Sequence, residues 1–150
     1  MKDLEKLSKM KLIKNRIILL ILSLVGFFDS AYLTISHYKN VVPPCSISSD
    51  CESVLTSRFA TILGIPLALF GVLYFLALIF LLLLAKEQNI FPKFFKFLAL
   101  AGIVASFVLL YLQAFVLHAF CQYCLLVEAI IFLIFILNYS FNSSEQNDKN

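Results

Sequence analysis

Charge is scarce in this chain of 150 residues: Asp, Glu, Lys and Arg supply only 14%, against roughly 25% in a soluble domain. So few polar groups cannot cover the surface that a chain of this size leaves facing water, which argues against a soluble globular fold. Tryptophan is absent, and sixteen Phe make up most of the aromatic content, a composition better suited to a bilayer interior than to a polar ligand site. The formal net charge of +3 is too small and too dispersed to suggest nucleic acid as a partner. No internal repeat and no linker-like stretch divides the chain. What is abundant is apolar side chain, at 61%, where roughly 45–50% is ordinary.

A membrane-spanning helix needs about 20 mostly apolar residues, and four such windows are present, at about 17–37, 62–85, 97–120 and 121–139. The first is interrupted by Asp29 and the last by Glu128, while the middle two carry no Lys, Arg, Asp or Glu. The first window is read as a span rather than a secretory signal, because no small-residue cleavage site follows a short apolar core there. The fold expected is all-α: an integral membrane four-helix bundle over 17–139, with a basic tail at 1–16 and a polar tail at 140–150 that is expected to be disordered from Asn142 to Asn150.

Cytoplasmic segments keep the excess of Lys and Arg. The N-terminal tail holds Lys2, Lys6, Lys9, Lys11, Lys14 and Arg16, the second loop Lys86, Lys93 and Lys96, and the C-terminal tail Lys149. The first loop has only Lys39 and Arg58, and the third has none. Both termini are therefore expected in the cytoplasm of a multi-pass cell (inner) membrane protein. Cys45 and Cys51 in the first loop, with Cys121 and Cys124 at the start of the fourth span, then face the opposite side, where disulfides persist.

Val41-Val42-Pro43-Pro44 reads as an extended approach to Cys45. Beyond Cys51, apolar Leu55, Phe59 and Ile62 recur at i, i+4 and i+7, which predicts a short amphipathic helix lying at the membrane interface in the first extracytoplasmic loop. Pro66 suits the first turn of the second span.

Cys121-Gln-Tyr-Cys124 is a Cys-X-X-Cys motif at a helix start, where the helix dipole favours a thiolate. Cys45 and Cys51 sit in a loop long enough to move. Two pairs on one face of a membrane, one mobile and one anchored at lipid depth, are the parts needed to relay two electrons by successive thiolate attacks on disulfides. Protein thiols in water would be the donor, and a quinone is the obvious lipid-soluble acceptor. Structural disulfides in a membrane scaffold are the bland alternative. A zinc site is disfavoured by the spacing, and no metal is expected. Covalent haem needs a His after Cys124, where Leu125 stands. Whether the resting disulfide joins Cys51 to Cys121 or lies within each pair stays open.

Cys45, Cys51, the run Val54-Leu55-Thr56-Ser57-Arg58-Phe59-Ala60, the stretch Leu63-Gly64-Ile65-Pro66-Leu67-Ala68-Leu69-Phe70-Gly71 and Cys121-Gln-Tyr-Cys124-Leu125 together resemble the vitamin K epoxide reductase family, most closely its bacterial and archaeal homologues. Asp29 to Thr34 extends the likeness, which covers about residues 17–139. The resemblance implies a four-helix bundle around a quinone of the menaquinone, ubiquinone or phylloquinone type. Carried over by position, Cys45 exchanges with a thioredoxin-like partner, Cys51 passes electrons to Cys121, and Cys124 sits against the quinone ring. Ser57 matches the family's loop serine near the redox centre. Many bacterial relatives carry a fused thioredoxin-like domain, for which this chain has no room, so a separate thioredoxin-like (DsbA-like) protein is the expected partner. Animal members differ in the segment between the loop and the second span. Reduction of vitamin K quinone or its epoxide as the desired product uses the same residues and is the alternative reading.

Within the spans, Cys121, Cys124 and Glu128 fall on one helical stripe, and an intramembrane acid is a functional candidate by default. Glu128 is read either as a proton relay beneath the motif or as a hydrogen-bonding member of the bundle. Asp29 is read as structural, pairing with Tyr32 or another outer-face polar group. His37 and His118 fall near the outer surface, as aids to thiol deprotonation or as interfacial residues. Phe70, Tyr74, Tyr111 and Phe115 are the candidate ring-binding positions.

Overall fold

The computed structural model describes residues 2–46, 50–84 and 91–147. Lys86 and Lys149, counted above for orientation, lie outside the described residues. Helix α1 runs from Lys2 to Tyr38. At 1.5 Å per residue its 37 residues extend for about 55 Å, far beyond a hydrocarbon core of about 30 Å, so the basic N-terminal segment continues the first span as helix. Arg16 near its middle donates to the Leu82 carbonyl at 2.6 Å, occupying a free acceptor in the last turn of α3 (Leu67–Leu84). Asn40 ends α1 with φ 53°, a left-handed conformation that Asn tolerates. The bonds Val41 N–H to Ser36 O (3.0 Å) and Asn40 N–H to His37 O (3.1 Å) complete a Schellman-type stop.

The other spans are α3, α4 (Phe91–Tyr111, continued by a π turn over Leu112–Leu117) and α5 (Gln122–Asn147). All four long helices are long and apolar enough to cross a membrane. They pack around Leu19, Phe75, Leu78, Phe95, Ile130 and Ile134. Other large apolar side chains, such as Phe80, Phe97, Phe107 and Ile136, face outward, as a lipid solvent requires. Gly26 lets α1 and α3 approach closely, since a Cβ there would overlap the Phe75 ring. Two hydroxyls inside the bundle are satisfied locally: Ser23 donates to Leu19 O and Thr34 to Ser30 O, each at 2.8 Å.

The expected interfacial helix through Leu55, Phe59 and Ile62 is not formed. Helix α2 covers only Cys51–Leu55. Its end is capped by the Thr56 hydroxyl on Glu52 O (2.7 Å) and the Ser57 hydroxyl on Val54 O (2.7 Å). A 3-10 turn, Arg58–Ala60, leads into an antiparallel hairpin of β1 (Thr61–Ile62) and β2 (Ile65–Pro66), with Thr61 opposite Pro66 and Ile62 opposite Ile65. Leu63 and Gly64 form its two-residue turn with φ of 54° and 82°, the conformation that matches strand twist. A glycine at the second position and β-branched flanks outweighed the helical spacing of three apolar residues. The second span accordingly starts at Leu67 rather than 62, after Pro66 has served in the strand. At the other end α5 stays helical to Asn147, correcting the expectation of a disordered tail from Asn142 onward. No Pro or Gly interrupts 121–147, and extending an established helix costs little.

Candidate active site

The site lies where the first loop meets the turn before α5. Cys45 and Cys51 are joined by a disulfide, while Cys121 and Cys124 are free thiols. All four belong to one cluster: Cys51, Val54, Ala119 and Cys121 are buried at its centre, with Cys45, Leu55, Leu117, Tyr123 and Cys124 packed around them. The structure thus brings together both pairs singled out in the sequence.

Two side chains between the motif cysteines hold the loop in place. Gln122 Oε1 accepts the Ser46 backbone N–H at 3.2 Å, and the Tyr123 hydroxyl donates to the Pro44 carbonyl at 2.9 Å. The Tyr123 ring also packs on Tyr32, centroids 5.7 Å apart. Tyr32 therefore serves the motif and not Asp29, whose Oδ2 is buried without a hydrogen-bond partner.

Cys121 stands at the N-cap of α5, its carbonyl accepting the Leu125 N–H at 3.0 Å. It precedes the fourth span, Gln122–Tyr139. A hydrogen bond from the Cys124 side chain pulls its thiol down to about 7, against the opposing effect of burial and with help from the backbone N–H groups of Cys124 and Tyr123. Orphan amides at a helix start are the physical source of that help.

Beneath the cysteines a cavity of about 400 Å³ opens between the spans. Cys124 lines it, as do Phe70 and Tyr74 of α3, Glu128 of α5, His37 of α1, and Ser57 of the loop. Its walls are otherwise almost wholly apolar. Three lining residues carry a buried polar atom without a hydrogen-bond partner: Tyr74 OH, Ser106 Oγ and Glu128 Oε2. The Ser57 hydroxyl, by contrast, is already engaged on Val54 O. Tyr111 and Phe115 are not brought to the cavity. They stack on each other, centroids 5.1 Å apart, on an exposed outer face. His118 lies beyond the turn, exposed, with φ 49°.

One buried residue in the site went unread in the sequence. Gln113 is 3% exposed, lines the cavity, accepts the Cys121 N–H on Oε1 (3.0 Å) and donates from Nε2 to Glu128 Oε1 (2.9 Å). The available signal was a lone amide in the otherwise largely apolar third span, a residue type that hydrogen-bonds across helices in membranes.

A free dithiol at a helix start, packed against a disulfide above an apolar cavity, is an arrangement for thiol–disulfide chemistry at the membrane. A family model described as the vitamin K epoxide reductase family matches residues 17–139, the stretch that holds both cysteine pairs and all four spanning segments. This multi-pass membrane thiol oxidoreductase belongs to the vitamin K epoxide reductase family.

Proposed function

We propose that the protein carries electrons from a soluble thioredoxin-like dithiol, through Cys45 and Cys51 and then Cys121 and Cys124, to a membrane quinone, so that the partner is reoxidised and disulfide formation is sustained. The observation that carries this reading is the single cluster in which Cys51 and Cys121 are both buried, with Cys124 opening onto the apolar cavity. In the first exchange the partner's two thiols reduce the Cys45–Cys51 disulfide and become a disulfide themselves. The Cys51 thiolate then attacks Cys121 of an oxidised motif, displacing the Cys124 thiolate. Attack by Cys45 on Cys51 closes the loop disulfide and frees Cys121. A joined loop pair beside a free motif pair is the arrangement expected after that exchange.

The cavity suits a ring with two oxygens: its walls are almost wholly apolar, and Tyr74, Ser106 and Glu128 each carry an unengaged polar atom. A bound quinone supplies a two-electron, two-proton acceptor, so that the motif dithiol becomes a disulfide as the quinone becomes a quinol. Phe70 and Tyr74 are the sequence-chosen positions that line the space. The Lys and Arg distribution supports a topology with both termini in the cytoplasm and the cysteines outside.

The test is anaerobic: reduced thioredoxin-like protein, the purified membrane protein and a quinone, followed by quinone absorbance. Cys124→Ala is expected to abolish quinone reduction. Cys45→Ala is expected to block the protein donor while a small dithiol still drives the reaction. Quinone that leaves the thiol count of the reduced wild-type protein unchanged would overturn the reading.

A further inference from the structure

The π turn Leu112–Leu117 interrupts the third span just before the motif, and such wide turns recur at functional positions. It fixes Gln113 firmly. The backbone N–H groups of His118 and Ala119 both donate to the Gln113 carbonyl, the latter at 3.1 Å. The side chain is buried and bonded at both ends. Because the Cys121 backbone N–H is a donor only, it must meet the amide oxygen, which leaves the amide nitrogen for Glu128. Burying an amide in apolar surroundings is costly unless it is paired, and here both halves are paired. The contact also breaks the symmetry of the Glu128 carboxyl group: Oε1 is held by Gln113, while Oε2 is buried with no partner, on a residue that lines the cavity with Cys124 one helical turn earlier.

We propose that Gln113 is a positioning residue for the quinone-directed step: anchored on the Cys121 backbone, it holds Glu128 by one oxygen and so aims the other at the cavity beside Cys124. Glu128 there takes a proton from the Cys124 thiol as its electrons leave and hands a proton to the acceptor oxygen, ending each cycle as it began. Starting from the dithiol, the second proton comes from Cys121; where Cys121 is already a thiolate, water supplies it. Over the step two S–H bonds break, one S–S bond and two O–H bonds form, and two electrons pass to the acceptor. This inference rests on the reading of Cys124 as the sulfur facing the acceptor.

Gln113→Met keeps the side-chain length and removes both bonds; Gln113→Asn keeps an amide too short to span both partners and serves where Met unsettles the fold. The full-length protein, with Cys121 and Cys124 reduced beforehand, is mixed anaerobically with a short-chain quinone. At saturating quinone either variant is expected to be slower by roughly tenfold or more, the scale of a misplaced catalytic group. The quinone KM and the exchange of Cys45–Cys51 with a small dithiol should stay within about threefold. Combined with Glu128→Gln, Gln113→Met should add no further loss, because no carboxyl remains to be aimed. The infrared carboxyl band of Glu128, identified by its disappearance in Glu128→Gln, should shift in Gln113→Met. A Gln113→Met rate equal to wild type, losses that multiply in the double variant, or an unshifted band would each overturn the assignment. If wild-type protein itself consumes no quinone, the function proposed above fails, while the infrared shift still tests the Gln113 contact.

Discussion

Tyr123, inside the Cys-X-X-Cys segment, donates its hydroxyl to the carbonyl of Pro44, the residue just before Cys45, at 2.9 Å. With Gln122 Oε1 accepting the Ser46 N–H, the two residues between the motif cysteines hold the backbone on either side of the loop cysteine. The motif thus fixes the position of the loop disulfide beside it.

Tyr123→Phe removes one of those bonds and keeps the ring packed on Tyr32. The bond is solvent-exposed, so its loss should cost about 0.5–1 kcal/mol, at the low end for a neutral hydrogen bond. Transfer from the loop pair to the motif pair should slow by about two- to fivefold, read by quenching and trapping thiols after mixing with a dithiol. Quinone consumption by a motif reduced beforehand should change less, because Tyr123 does not line the cavity.

The depressed Cys121 thiol sets a pH dependence. An acid whose pKa falls to about 7 is mostly thiolate above that pH and mostly thiol below it. Ultraviolet thiolate absorbance, measured on protein with Cys45–Cys51 oxidised, should therefore show one thiolate appearing with a midpoint near 7. Attack by Cys121 should quicken as pH rises towards that midpoint and level off above it. Cys124→Ala deletes the hydrogen bond chiefly responsible for the shift and should move the midpoint up towards the ordinary thiol range, whereas Cys124→Ser, with a hydroxyl still able to donate, should move it less. A midpoint already in the ordinary range in wild type contradicts the role of that bond.

Much of this centre was legible in the sequence because long-range order here follows from hydropathy. Four apolar runs give four helices, and their parity places Cys45, Cys51, Cys121 and Cys124 at one end. Misread elements were those decided by a few local bonds. The apolar repeat through Leu55, Phe59 and Ile62 has helical spacing, but the hydroxyls of Thr56 and Ser57 end α2 and Leu63-Gly64 turns the chain into a hairpin. Tyr111 and Phe115 sit at i and i+4 and so share a face, and that face is the exposed one, which hydropathy does not distinguish where both faces of the span are apolar. Gln113 carries no signal of its own beyond a lone amide, because its meaning lies in two partners, Cys121 and Glu128, that meet it only once the chain turns into the next helix.

Close packing of α1 on α3 makes a sharp stability prediction. A methyl group on Gly26 would overlap the ring of Phe75, which is itself fully buried in the core. Gly26→Ala should destabilise the bundle by about 1–3 kcal/mol through overpacking, despite the better helix propensity of Ala. Thermal unfolding in detergent should show the loss. Pairing it with Phe75→Leu, which withdraws the ring, should recover part of the stability, as expected for residues in direct contact. An unchanged midpoint for Gly26→Ala alone would show that the two helices part more easily than this contact implies.

The proposed topology is tested by access to Cys45. It is the more exposed member of the loop disulfide, whereas Cys51 and Cys121 are buried. In intact cells treated with a mild reductant, a membrane-impermeant maleimide added from outside should label the protein, and Cys45→Ala should remove most of that label. The same reagent confined to the cytoplasmic face of inverted vesicles should leave Cys45 untouched and should instead reach a cysteine introduced at Lys6, in the basic part of α1. Removing positive charge from the N-terminal segment, by Gln at Lys6, Lys9, Lys11 and Lys14, weakens the bias that holds it in the cytoplasm and should produce a fraction of inverted chains. Those chains would carry Cys45 on the reducing side, where its disulfide does not persist, so the inverted fraction should be read directly as loss of outside labelling. Labelling of Cys45 from the cytoplasmic face in the unaltered protein would reverse the topology and, with it, the side from which a partner delivers electrons.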